Sequence, residues 1–102
     1  MDIKQLITFR TLAQEKNYMK TSEKLSYAPS TLAKHIRSLE DELQVQLVEY
    51  RNGKIELTYD GKRFMRYADE MLSVYFKLQY EFDQTKSTIG TIRVAGGELM
   101  VG

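Results

Sequence analysis

Residues 18–36, "YMKTSEKLSYAPSTLAKHI", decide the fold. Helix-forming residues run from Tyr18 to Leu25, stop at Ser26-Tyr27-Ala28 and restart at Pro29. Asn17 suits the cap of the first helix, because its side-chain oxygen accepts a first-turn N–H. Pro29 suits the first turn of the second helix, where its missing N–H would have no partner anyway. The restart carries small residues, Ser30, Thr31 and Ala33, before it reaches Lys34 and Arg37.

On a helical wheel of about 100° per residue, residues 29–43 divide into two faces. Leu32, Ile36, Leu39 and Leu43 form an apolar face that reads as core. Ser30, Ala33, Lys34 and Arg37 form a nearly opposite face, small at its N-terminal end and basic one turn later. Short side chains let a helix N-terminus enter a DNA major groove, where side chains and backbone N–H groups reach base edges and phosphates. Asp41 lies on the same stripe and would be repelled by phosphate, so the helix is expected to leave the groove by then. A short helix, a three-residue turn and a longer helix fit a helix-turn-helix over about residues 18–37, with Ser22 as the small residue at the helix crossing. An ordinary helical hairpin with a solvated basic face fits the same two helices equally well.

Upstream, "DIKQLITFRTLAQE" (residues 2–15) places Ile3, Leu6, Ile7, Phe9, Leu12 and Ala13 at helical spacing, with Asp2 as cap. Downstream, "LVEYRNGKIELT" (residues 47–58) alternates around Asn52-Gly53, a two-residue hairpin signal. Strands are expected near 47–51 and 54–57. Arg51 and Lys54 flank the tip, so the hairpin reads as the wing of a winged helix-turn-helix and favours DNA over a plain hairpin. Thr58 then caps a fourth helix reaching about Lys86, with Asp60 in the first turn, where the helix dipole favours negative charge. Gly61 counts mildly against helix by propensity alone.

In that fourth helix Phe64, Ala68, Met71, Tyr75, Leu78 and Phe82 keep a heptad seam of alternating four- and three-residue steps. Such a helix would be about 43 Å long, more than a small head can cover. Burying five large apolar side chains stabilises by ~1.5–3 kcal/mol each, so the stripe is expected to bind a second copy of the chain. The bland alternative is a helix folded back on its own head.

Charge supports the same picture. Lys16, Lys20, Lys24, Lys34 and Arg37 face a single acid, Glu23, between residues 16 and 37, whereas residues 38–50 carry Glu40, Asp41, Glu42 and Glu49 and no base. The formal net charge is only +1, so the asymmetry, and not the total, points to an anion-facing side. With 42% hydrophobic and 28% charged residues, the 102-residue chain has the composition of a globular protein. It has no cysteine and one histidine, which leaves no disulfide, no thiolate or histidine metal cluster and no visible catalytic constellation. No apolar run approaches the ~20 residues that span a bilayer, and no signal pattern opens the chain, so it is expected to be cytoplasmic and off the membrane. The last stretch, "TIGTIRVAGGELMVG", reads as one strand over Ile92–Ala95 with nothing to pair, expected of a piece of a longer protein in preference to an edge in an assembly.

The residues that carry this reading resemble the N-terminal part of LysR-type transcriptional regulators. The matching stretches are "MDIKQLITFRTLAQEKNY", "SEKLSYAPSTLAKHIRSLEDEL", "VQLVEY", "ELTYDGKRF", "YADEML" and "GTIRVAGG", together nearly the whole chain. The resemblance implies a mainly α architecture: a winged helix-turn-helix over residues 1–58, of three helices and a two-stranded β-hairpin wing at about 47–57. A linker helix over residues 59–88 would pair with that of a second subunit, and residues 89–102 would begin an effector-binding domain. It also implies a homodimer of this part and a tetramer of the full-length protein, bound to an interrupted palindrome at a promoter. A small-molecule effector would act through the remaining domain, with RNA polymerase as a further candidate partner and no cofactor or metal in these residues.

On this reading Pro29, Ser30, Ala33 and Lys34 lie at base edges, Thr31 and Arg37 bind phosphate beside them, and Arg51, Asn52 and Lys54 act at the wing. Tyr18 and Tyr27 are assigned to core packing, with phosphate contact by their hydroxyls as the alternative, and His35 to the edge of the DNA side, near the backbone. The chain departs from the usual family pattern at Ala28-Pro29-Ser30, Ala33-Lys34, Thr21-Ser22, Tyr50 and Gly53. Those departures bear on base preference and not on the fold. A module that recruits a protein partner through the wing and heptad helix is the alternative from another functional class.

Overall fold

The computed structural model describes residues 1–89, in the order α1 (Ile3–Glu15), α2 (Tyr18–Leu25), α3 (Pro29–Leu43), β1 (Val48–Arg51), β2 (Lys54–Leu57) and α4 (Tyr59–Ile89). Local chemistry sets most of these boundaries. Asp2 accepts the Gln5 N–H at 2.8 Å and Asn17 the Lys20 N–H at 2.8 Å, each capping a helix start. Pro29 opens α3, and Lys16, Ser26 and Gln44 end α1, α2 and α3 in the left-handed conformation. The strands pair antiparallel with Arg51 opposite Lys54, and Asn52 and Gly53 turn between them at φ 55° and 75°, as a two-residue hairpin requires. The expected strand at Ile92–Ala95 lies outside the described residues.

Met1–Leu72 is one compact unit, and the described residues from Ser73 on belong to a second. The core of the first unit is a single cluster in which Leu6, Phe9 and Leu12 of α1 meet Ile36 and Leu39 of α3, with Leu47, Ile55, Phe64, Ala68 and Leu72 completing it. Each such burial stabilises by ~1.5–3 kcal/mol, which makes the cluster the main driving force of the fold. Phe9 and Phe64 pack at 5.1 Å between ring centroids in a tilted arrangement, pinning the start of α4 to α1.

Three expectations change here. Phe64 and Ala68 are buried in the core of the first unit, so these two heptad positions are not available to a second chain. The head lacks a floor without them, and the first turns of α4 supply it. Leu72, off the heptad pattern, is fully buried as well. Leu43, placed on the apolar face of α3, is 36% exposed because that helix ends there and the core closes one turn earlier. At the α2–α3 turn the fully buried residue is Thr21, its hydroxyl satisfied by the Asn17 carbonyl at 2.9 Å. Ser22 instead donates to the Tyr27 carbonyl and so ties the turn together.

In the second unit the described residues continue as helix, and Val74, Phe76, Leu78, Tyr80 and Phe82 are exposed. No helix among the described residues is long and apolar enough to cross a membrane.

Candidate nucleic-acid interface

α3 presents its two faces as the wheel implies over its first three turns. Leu32, Ile36 and Leu39 are buried, whereas Pro29, Ser30, Lys34 and Arg37 are exposed and Thr31 and Ala33 half-buried. The exposed side therefore begins with short side chains and continues into two cations. Ala28 provides no side-chain cap, but its carbonyl accepts the Thr31 and Leu32 N–H groups at 3.0 and 3.2 Å.

The wing is held to this helix by a carboxylate. Glu40 Oε2 accepts the Leu47 N–H at 2.8 Å, with the Val48 N–H at 3.5 Å, so the entry to β1 hangs from the last turn of α3. On the other strand the Ile55 N–H donates to the Lys16 carbonyl at 3.0 Å, which ties β2 to the end of α1. At the tip Arg51, Asn52, Gly53 and Lys54 are all exposed. Arg51 reaches Glu49 at 3.3 Å on the same strand, an exposed pair of the kind worth ~0–1 kcal/mol and easily exchanged for a phosphate.

Beside Arg37 lies Tyr18, half-buried against the core. Burial first, and then Tyr50 and Glu40, push its hydroxyl above the ordinary tyrosine range, while Arg37 pulls the other way. The phenol is thus a packed, neutral group that joins α2 to α3 and the wing, in keeping with its assignment to packing. His35, half-buried at the edge of the exposed side, is tied to α1. Its Nδ1 shares a 2.8 Å hydrogen bond with the hydroxyl of the fully buried Thr8, and its ring stands edge-on to Tyr27 at 5.5 Å. The histidine therefore joins α3 to α1 through Nδ1. Thr8 shares its side of α1 with Gln5, Thr11, Leu12 and Glu15, and no pattern in the sequence signals the pairing.

Two lysines outside the expected set share a cleft with the wing tip: Lys16, at the end of α1, and Lys20, in α2, line it together with Gly53 and Lys54. The basic run from residue 16 was the available signal, although nothing in the spacing says that it meets the hairpin.

Three helices, a tight turn before the third and a two-stranded wing define a winged helix-turn-helix protein. The chain belongs to the LysR family: residues 3–62 match the bacterial regulatory helix-turn-helix proteins of the lysR type. It is 35% identical over 98 residues to the HTH-type transcriptional regulator YwqM of Bacillus subtilis, covering 96% of this chain and 33% of that one. It is 30% identical over 103 residues to the HTH-type transcriptional regulator BenM of Acinetobacter baylyi, covering 100% of this chain and 34% of that one. The chain thus spans about a third of the length of these curated relatives. Among solved structures, the BenM DBD in complex with catB site 1 DNA has a TM-score of 0.76 at 28% identity, covering 82% of this chain and 94% of that one. Full-length OxyR C199D from Pseudomonas aeruginosa has a TM-score of 0.78 at 27% identity, covering 84% of this chain and 29% of that one.

Proposed function

We propose that these residues are the DNA-binding part of a sequence-specific transcriptional regulator, with α3 in the major groove and the wing on the adjacent backbone. The observation that carries this is the exposed side of α3, where Pro29 and Ser30 precede Lys34 and Arg37. Short side chains at the helix start allow close approach, and cations one turn on can reach guanine edges or flanking phosphates. Pro29, Ser30, Ala33 and Lys34 are assigned to the bases, Thr31 and Arg37 to phosphate, and Arg51, Asn52 and Lys54 to the wing contact. The BenM DBD, similar in fold at a TM-score of 0.76, is solved in complex with catB site 1 DNA, which supports duplex binding by this fold.

Two copies would pair through the part of the seam left open, Met71, Tyr75, Leu78 and Phe82, and place two α3 helices on the halves of an interrupted palindrome. Tetramer assembly, a small-molecule effector and contact with RNA polymerase would belong to a protein of the relatives' full length, of which this chain spans about a third. Duplex binding titrated with salt tests the reading. Some six phosphate contacts would cost ~10³ in affinity between 50 and 200 mM salt. No binding at low salt to any duplex, including the gene's own upstream region, defeats it. For pairing, Met71→Asp with Leu78→Asp should give monomers in sedimentation, and an unchanged mass would remove the seam.

A further inference from the structure

The cleft at the wing tip sets three lysines against one carboxylate, and that carboxylate is paired elsewhere. Glu15, Lys16, Asn17, Lys20, Gly53 and Lys54 line it, and its volume is about 170 Å³. At ~30 Å³ per water, that is room for a phosphate group with part of its hydration shell. The one acid in the wall, Glu15, already pairs with Lys24 at 3.1 Å. Among the described residues Lys16, Lys20 and Lys54 make no ion pair, so three like charges stand around one cleft in the free protein. Such an arrangement is repulsive until an anion enters.

The walls are fixed by the backbone. Lys16 is held at φ 61° as the left-handed end of α1, its carbonyl accepts the Ile55 N–H at 3.0 Å, and Asn17 caps the Lys20 N–H at 2.8 Å. Over Gly53 the space is open, with nothing within 4 Å of where a Cβ would stand. The lining has no aromatic or aliphatic side chain, so the cleft offers a nucleobase no stacking surface and a lipid tail no apolar floor. What remains is a phosphate without an apolar companion, and Gly53 and Lys54 are also the tip of the wing.

We infer, on top of the duplex-binding reading, that this cleft clamps one phosphate of the DNA backbone at the wing's edge, with Lys16 and Lys20 as contacts additional to the wing itself. The clamp positions the duplex and reads no base. The test uses the intact protein and a duplex that it binds, with affinity measured across salt. Lys16→Asn, which keeps a residue tolerant of the left-handed conformation, is combined with Lys20→Gln. The slope of log K against log salt should flatten by about 0.9, so the wild-type advantage over the variant narrows about 3.5-fold between 50 and 200 mM salt. The preference for specific over random duplex should stay unchanged, and Lys20→Arg alone should keep the wild-type slope. A double variant that melts like the wild type and keeps its slope overturns the clamp while leaving duplex binding intact. A changed preference between sequences overturns it too, because the cleft would then be reading bases. Wild-type protein without affinity for any duplex removes both readings together.

Discussion

Gly61→Ala sets two physical effects against each other with opposite signs. Gly61 lies in the first turn of α4, and by helix propensity an alanine there should stabilise by ~1 kcal/mol. The site does not allow it. A Cβ on Gly61 would stand 2.1 Å from the Leu47 carbonyl oxygen, 3.0 Å from the Leu47 carbonyl carbon and 3.2 Å from Leu57 Cβ. The same Leu47 carbonyl accepts the Thr58 N–H at 3.1 Å, and the Thr58 hydroxyl accepts the Gly61 N–H at 2.9 Å, so the helix start and the strand entry are locked together. Restoring van der Waals separation needs a backbone shift on the order of 1 Å, and the obstacle is main chain, not a pliable side-chain end. Overpacking of this kind costs ~1–3 kcal/mol, and a weakened hydrogen bond adds ~1 kcal/mol. Net of propensity, the variant should lose about 2 kcal/mol. At roughly 4–8 °C per kcal/mol for a domain of this size, thermal melting by circular dichroism should shift down by about 10 °C. A variant that melts at the wild-type temperature or above it would refute the reasoning, because propensity alone would then have decided the outcome.

Removing Glu40 should also tell. Glu40→Ala leaves the buried entry of β1 without its carboxylate acceptor and should cost about 2 kcal/mol in chemical denaturation, whereas Glu40→Gln, which still offers an oxygen, should recover most of it. If the two variants are equally stable, the Leu47 contact is not what holds the wing. Tyr18 sets an alkaline limit. Its pKa is raised in the folded protein, so its contribution is fully present below the ordinary value of 10.0 and is lost as pH rises through the folded value. Tyr18→Phe should therefore lose less stability than the wild type between neutral pH and pH above 10, and parallel curves would contradict the burial. On DNA, Lys34→Ala should relax base preference by ~1–3 kcal/mol at one position, while Arg51→Ala should weaken all sequences about equally. Selection assays on randomised duplexes separate the two, and equal loss of affinity without a change of preference in both variants removes Lys34 from the base-reading set.

The candidate site is legible in the chain to the extent that it lies on one helix. Pro29, Ser30, Ala33, Lys34 and Arg37 follow each other at known angles, so a wheel finds their common side before any packing is known. His35 shows where this fails. It sits between the exposed and buried sides of α3, and only the approach of α1 brings the Thr8 hydroxyl within 2.8 Å. Lys16 and Lys20 show the same limit from the other direction. Their charge is visible in the sequence, but the cleft that they line exists only because β2 bonds back to the Lys16 carbonyl.

Caps, the proline start and the Asn52-Gly53 turn act within four or five residues, so the sequence by itself determined the order and the ends of the elements. The heptad spacing of α4 was equally plain, yet it is silent on which neighbour each position meets. Tertiary structure decided that Phe64, Ala68 and Leu72 close the core while Leu78 and Phe82 remain exposed. It also turned Gly61 from a weak helix residue into one that the fold requires, through the carbonyl of Leu47. Periodicity records which residues share a side of a helix. What that side packs against depends on chain segments far away in sequence, whose approach is set by the volume and hydrogen bonding of the whole core.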